Sequence, residues 1–268
     1  MLNFPIQIYN ALRNAVQKVY TFLHLETHEF TTGRSLAINL VDSITLAIFK
    51  QKQNIATKQS LFGMVDPSCT YKTFVEAINR AGAYLMLFIA LILKTNRKAA
   101  HLIKFTDSTD IPVCLLKNAR TNRTMRGLAS WSKTGKGWFY GLKLHLTADL
   151  EGRILAIRIT SGNSSDRRIF KKMNRLLKGI FVADAGYISD ELEKEFFVEN
   201  ERIAIITPRA NMKKVATPVQ TFLQSLRMRV ETHFRSLKMF NGLVTSLPRS
   251  LNGTFTHYLA SIAAYVMA

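Results

Sequence analysis

Three acids, Asp107, Asp184 and Glu231, stand in settings where an acid needs a reason. Asp107 lies in Lys104–Asp110 (Lys-Phe-Thr-Asp-Ser-Thr-Asp), which reads as a short strand. Ile103, Phe105 and Asp107 share one face by the period-2 rule, so a carboxylate occupies a core-facing row. Such a group is costly unless a cation or hydrogen-bond donors meet it. Asp184 closes the apolar run Ile180–Ala183, a second predicted strand. In open α/β sheets, sites form beyond the C-terminal ends of neighbouring parallel strands. If these two strands pair in parallel, the two aspartates become neighbours. Unaided they would repel and raise one pKa. A divalent ion removes that conflict, and all-oxygen ligands suit Mg²⁺ or Mn²⁺. Two such ions about 3.5–4 Å apart can hold both the attacking and the leaving oxygen of a phosphodiester. Glu231 belongs to a long predicted helix, on one stripe with Arg227, Arg235 and Lys238. Taken singly, Glu231 is explained as well by i,i+4 pairs with Arg227 and Arg235. The three acids together, beside much positive charge, point to metal-assisted phosphoryl chemistry.

The elements that position them divide into two regions. Residues 1–100 read as all-helical. Ile6–Leu25, Ser35–Gln53 (Leu36, Leu40, Ile44 and Ile48 on one face) and Ile55–Met64 are predicted helices. After the turn Asp66-Pro67-Ser68, Ser68 or Thr70 caps a long helix running to about Lys94. A short helix, a turn, then Tyr71, Lys72 and Arg80 on a new helix is compatible with helix-turn-helix DNA binding or with a plain bundle. The longest uncharged apolar run, Ala81–Leu93, has 13 residues and reads as a buried helix, since a membrane span needs about 20.

Residues 101–268 read as an α/β domain. Phe139–Thr147 and Ile154–Thr160 alternate around the turn Asp149–Gly152, a β-hairpin that joins Lys104–Asp110 in a three-strand meander. A loop, Ser161–Asp166, leads to a basic helix, Arg167–Leu177. Beyond Asp184 come a helix over Glu191–Val198, a strand Arg202–Thr207, and a helix from Thr217 to about Phe240. Thr217-Pro218-Val219-Gln220 starts it with a capping box, and Phe222, Leu226, Val230, Phe234 and Leu237 are its buried stripe. Leu251–Met267 is a last helix. The order βββαβαβα implies a mixed sheet with helices on its faces.

The charge balance restricts the partners. Lys and Arg number 37 against 18 Asp and Glu, a net of +19, of which residues 94–268 carry +16. Charge of this size opposes folding by self-repulsion and favours a polyanion. Ile111–Ala148 contains no acid but carries Lys117, Arg120, Arg123, Arg126, Lys133, Lys136 and Lys143, interleaved with Trp131 and Trp138. That composition fits phosphate contact with base stacking. Cys69 and Cys114 lack metal-ligand spacing and suggest a reducing compartment, and no signal peptide is evident.

At this point the sequence resembles the DDE transposases of bacterial insertion sequences, in the ribonuclease-H-like superfamily. Thr106-Asp107-Ser108, Asp184-Ala185-Gly186-Tyr187 and the spaced set Arg227, Glu231, Lys238 carry the likeness. The last reproduces much of the family's Tyr-Arg-Glu-Lys signature, with Gln224 where the tyrosine would stand. Trp138–His145 and Gly162-Asn163 with Asp166 also resemble family segments. The resemblance spans about residues 100–260. It implies that Asp107, Asp184 and Glu231 bind two Mg²⁺ (or Mn²⁺) ions to cut an element's end, and that the freed 3′-OH then attacks target DNA. Arg227, Lys238, Arg235 and the loop lysines and arginines would hold phosphates, with His145 and Asp166 supporting the acids and His233 structural or supporting. It further implies double-stranded DNA partners (terminal inverted repeats and target), a homodimer on DNA, no membrane, and a cytoplasmic, nucleoid-associated location. The competing expectations are a metal-dependent nuclease without strand transfer, a non-catalytic DNA-binding remnant, and an RNA-binding protein explained by charge alone.

Overall fold

The computed structural model describes residues 5–28, 35–184, 187, 202–206 and 217–267. The chain forms two compact units. The helical unit combines Met1–Ile92 with Ser236–Leu243 and Leu247–Ala268, and the α/β unit combines Leu93–Arg235 with Val244–Ser246. The helical unit is thus discontinuous in sequence. A boundary at residue 100 with all of 101–268 in one domain does not describe this partition.

In the helical unit, α1 (Ile6–Phe22), α4 (Tyr71–Arg80) and α9 (Leu251–Val266) pack on α2 (Leu40–Lys52), and α3 (Lys58–Val65) packs on α4. All of these starts but that of α1 are written in a side chain. Asn39, Thr57, Thr70 and Ser250 accept from the backbone N–H three residues on, caps worth about 1 kcal/mol each. The Asn39 cap makes α2 begin five residues later than the apolar pattern suggests and leaves Leu36 exposed. Nearly every residue of α2 is buried, including Ile44, Ile48 and Phe49, each burial worth about 1.5–3 kcal/mol. Asp42, in its first turn, accepts from Arg13 Nε at 2.6 Å and Tyr9 Oη at 3.0 Å, tying α1 to α2.

A turn at Ala81 separates α4 from α5 (Gly82–Lys98). By length and composition Tyr71–Lys98 would suffice to cross a membrane. Its buried residues Phe74, Ala77, Ile78, Ala81, Leu85 and Phe88 recur every three or four positions, the one-sided stripe of a core helix. Met86 and Leu87 are exposed, so the helix read as buried is buried on one side.

The α/β unit is built on a six-stranded sheet of order β2-β3-β1-β5-β6, with β4 paired to β3. The strands are β1 (Ile103–Pro112), β2 (Ser130–Thr134), β3 (Gly137–Asp149), β4 (Ile154–Ser161), β5 (Gly179–Ala183) and β6 (Arg202–Ile206). β1, β3 and β4 form the expected antiparallel meander, and β1–β5 and β5–β6 are parallel. β2 is an addition: it pairs with Gly137–Gly141, and β4 takes Leu142–Ala148 of the same long strand. Gly141 sits where the backbones crowd, since a Cβ there would lie 2.1 Å from the Ile111 carbonyl oxygen.

Helix α6 (Asp166–Met173) ends at Asn174, short of the predicted Leu177. A closed ring of hydrogen bonds then locks β1, β3 and Asn174 together. Thr106 Oγ1 and Thr147 Oγ1 are 2.8 Å apart, Thr147 donates to Asn174 Oδ1 at 2.8 Å, and Asn174 Nδ2 donates to Thr106 Oγ1 at 3.4 Å. All three residues are buried, which requires such pairing.

The long helix predicted from Thr217 to Phe240 is two helices, α7 (Pro218–Ser225) and α8 (Met228–Met239). The capping box at Thr217 and Gln220 forms as predicted. The break falls at Leu226–Arg227, where Arg227, Arg229 and Val230 each donate a backbone N–H to the carbonyl three residues back. This tightening resets the helical phase. Leu223 replaces Phe222 on the buried side, Phe222 is exposed, and Val230, Phe234 and Leu237 are buried as predicted. The predicted helix over Glu191–Val198 lies outside the described residues.

Candidate active site

The parallel pairing of β1 with β5 decides the geometry. Phe105 lies opposite Val182, so Asp107 and Asp184, each two residues further on, run toward the same end of neighbouring strands about 4.8 Å apart. Glu231 enters from the first turn of α8.

Asp107 is largely buried. Its Oδ1 accepts from Ser108 N at 2.8 Å and its Oδ2 from Arg227 Nη1 at 3.0 Å. The other end of the same guanidinium, Nη2, donates to Glu231 Oε1 at 3.3 Å. The break between α7 and α8 puts Arg227 in this bridging position. Burial raises the Asp107 pKa to about 6; Arg227 and the Ser108 N–H oppose the rise, and the charges of Asp184 and Glu231 add to it. Asp184 and Glu231 therefore both act on Asp107. Glu231 and Asp184 are exposed.

A second cluster lies beside the first. Asp166, the first residue of α6, accepts from Lys143 Nζ at 3.1 Å and from Ser108 Oγ at 3.2 Å, and lies 3.7 Å from His145 Nδ1. Ser108 thus joins the two acids, Asp107 through its N–H and Asp166 through its hydroxyl. His145 is buried, with Nε2 2.8 Å from Thr160 Oγ1. Burial pushes its pKa down to about 4 against the pull of Asp166. Tyr187 stacks at 5.4 Å on Phe170, and its buried hydroxyl lies in the field of Asp107, Asp166 and Asp184. The sequence offers Tyr187 only as a motif residue and Lys143 only as one of the loop cations; the structure brings both to Asp166 or the field of the acids. The signal for Lys143 was its place on the polar face of β3 with His145.

Gln224, the position of the missing tyrosine, also has a role. Its amide nitrogen donates at 3.4 Å to the carbonyls of Ala183 and Ile205, the C-terminal ends of β5 and β6. It fastens α7 one residue before Asp184. His233 is buried, and burial lowers its pKa.

Lys117, Arg120, Arg123, Arg126, Lys133 and Lys136 are all exposed, and none pairs with an acid among the described residues. Trp131 and Trp138 are exposed too, with Lys133 Nζ 6.0 Å above the Trp138 ring. The acid-free segment thus includes a strand, β2, and presents its cations and indoles to solvent. Arg235 is exposed on α8, and Lys238 lies in its last turn.

The acids suit a hard divalent ion by donor chemistry, being oxygen-only and, at Asp107, desolvated and crowded by like charge. Among the described residues no three His, Cys, Asp or Glu side chains stand close enough to form a metal cage. The cation that Asp107 and Glu231 share is the Arg227 guanidinium.

A mixed sheet in which an antiparallel meander is continued by a parallel pair is the ribonuclease-H-like fold. The sequence matches the family described as Transposase DDE domain over residues 97–250, and the chain belongs to that family of DDE transposases. Among solved structures the fold is similar to the piggyBac transposase of a synaptic complex with hairpin DNA, with a TM-score of 0.54 at 9% identity, over 98% of this chain and 73% of that one. The Mos1 transposase of a pre-cleavage transpososome aligns over 88% of this chain and 79% of that one at 8% identity, with a TM-score of 0.25. No curated protein matches the sequence.

Proposed function

We propose that this transposase cuts the ends of an insertion sequence and joins the freed 3′-OH to target DNA. The observation that supports the reading is that Asp107 lies in the field of both Asp184, beside it through the β1–β5 pairing, and Glu231, from α8. Asp107, Asp184 and Glu231 would hold Mg²⁺ or Mn²⁺, two ions by family resemblance. Bound there, such ions would supply Lewis-acid stabilisation of charge on a phosphodiester.

The chain's own residues do the rest. The Thr106–Thr147–Asn174 ring and the Asp107–Ser108–Asp166 connection hold β1 rigid beneath the scissile phosphate. Arg227 places a guanidinium between two of the acids, where it can fork onto a phosphate. The exposed cations from Lys117 to Lys136, with Arg235 and Lys238, supply backbone contacts, and the exposed tryptophans supply stacking. Arg97, Arg158, Lys172 and Arg175 line a further open pocket beside β4 and α6 and extend the phosphate-binding surface. The helical unit is proposed as a second DNA-binding region.

A strand-transfer assay tests the reading. A pre-cut terminal-repeat duplex bearing a 3′-OH, mixed with supercoiled plasmid, protein and Mg²⁺, should yield plasmid covalently joined to the labelled end. Cutting of an uncut duplex without such joining would reduce the function to that of a nuclease.

A further inference from the structure

Within the helical unit a buried lysine lies in the field of a second, half-buried one. Lys50, in the last turn of α2, is 5% exposed and flanked by Phe49 and Gln51, themselves buried. Lys58, in the first turn of α3, donates to Asn79 Oδ1. No acid acts on either lysine among the charges that shift them: burial lowers both to about 8, and Lys58 lowers Lys50 further. The Lys50 ammonium has no hydrogen-bond or ion-pair partner among the described residues.

The surroundings are polar and donor-rich. His257 Nε2 donates to the Gly242 carbonyl at 2.7 Å, which leaves Nδ1 to accept from Gln51 Nε2 at 2.8 Å. This neutral tautomer fits its pKa, which burial and then Lys50 push down to about 4. Gly242 (φ +57°) lies against Gln51 and Asn54, whose oxygens a Cβ would meet at 3.2 and 3.7 Å. Asn79 also borders the first turn of α9, because a Cβ at Gly253 would lie 3.5 Å from its Oδ1 and 2.9 Å from Ser250 Oγ. The positive end of a sixteen-residue helix therefore adds to the two ammoniums.

We propose that Lys50 and Lys58 form a binding site for a phosphoryl oxyanion, set between α2, α3 and the first turn of α9. A buried ammonium without a partner is costly, and the repulsion from Lys58, half-buried and bonded to Asn79, adds to the cost at Lys50. A single carboxylate would leave one charge unmatched, whereas a phosphoryl group offers several oxygens to two ammoniums, the Asn79 amide and a helix N-terminus. The proposal stands independently of the catalytic reading. Two sources share this chemistry, the backbone of bound DNA and free phosphate.

The test uses the full chain with Lys50→Met, Lys58→Met and, as a control, Lys18→Met, which removes an exposed charge on α1. Inorganic phosphate is titrated calorimetrically in chloride buffer, after thermal melts in chloride show each variant folded. Loss of one ammonium should weaken phosphate binding about tenfold or more, and the control should change it less than about twofold. Phosphate binding unchanged in both variants, or lacking in the wild type, overturns the site. Should Lys50→Met not fold, Lys58→Met decides. A second titration with a short random-sequence duplex identifies the source. Weakening in the same variants, with a salt slope shallower by about one, assigns the site to the DNA backbone; duplex binding equal to the control assigns it to free phosphate.

Discussion

Replacing Arg227 by Met should destabilise the α/β unit only while Asp107 is an anion. The Nη1–Oδ2 separation is 3.0 Å and both side chains are about one-fifth exposed. At an effective dielectric of ~20 the bare attraction at that distance is about 5 kcal/mol. Desolvation of both groups offsets much of it, so a coupling of about 1–3 kcal/mol is expected from a double-mutant cycle with Asp107→Asn. The pH dependence follows from the raised pKa of about 6. Above pH 7 Asp107 is charged and the coupling is full; as pH falls through 6 the carboxyl takes up its proton, and near pH 5 the coupling is mostly gone. Asp107→Asn alone should stabilise the chain at pH 8, because the folded protein then no longer holds a buried carboxylate whose pKa was raised above its unfolded value. Urea denaturation of the four proteins in chelator, at pH 8 and pH 5, measures the cycle. A coupling under about 0.5 kcal/mol at pH 8, or one of equal size at pH 5, would refute the arrangement of Arg227 over Asp107.

Other expectations follow from single contacts. Asp149 is fully buried and accepts from the N–H groups of His101, Glu151 and Arg153 and from Arg153 Nε at 2.9–3.1 Å, so Asp149→Ala should cost about 3–5 kcal/mol in urea denaturation. Gly141→Ala should separate β3 from β1 and lower the melting temperature, and a melt matching wild type would contradict the close approach. His145 and His257 both have folded pKa values near 4. The unfolded chain therefore binds protons between pH 6.5 and 4 that the folded chain does not. Stability should be full above pH 6.5 and fall toward pH 4 by at most about 3 kcal/mol per histidine, with His257→Gln flattening that slope in pH-dependent melts. Gln224→Ala should slow DNA cutting while leaving thermal stability within about 1 kcal/mol of wild type, since it frees the chain end that carries Asp184 from α7.

Much of the site was legible because its residues break local patterns. An aspartate on the core row of β1 and another closing an apolar strand are visible without a structure, and the parallel β1–β5 pairing that joins them is the usual one for this element order. What stayed hidden was non-local. β2 was missed because neither Trp131 nor Lys133 is buried, so no apolar alternation marks it. The break between α7 and α8 was missed because Leu226 and Val230 keep the helical period across it, while tightened hydrogen bonds at Arg227 reset the phase. The bond from Lys143 to Asp166 depends on β3 and α6 meeting, and Gln224 gains its role only because α7 reaches the ends of β5 and β6. The return of 236–243 and 247–268 to the helical unit depends on chain topology that no local pattern reports.

The central claim is that Asp107, Asp184 and Glu231 serve one metal-assisted phosphoryl-transfer site. The most direct measurement is Mg²⁺- or Mn²⁺-dependent cutting of a labelled duplex carrying the element's ends, wild type against Asp184→Asn, with duplex binding measured in parallel. Cutting lost in the variant with DNA binding retained is the predicted result; equal cutting by both proteins would contradict the site.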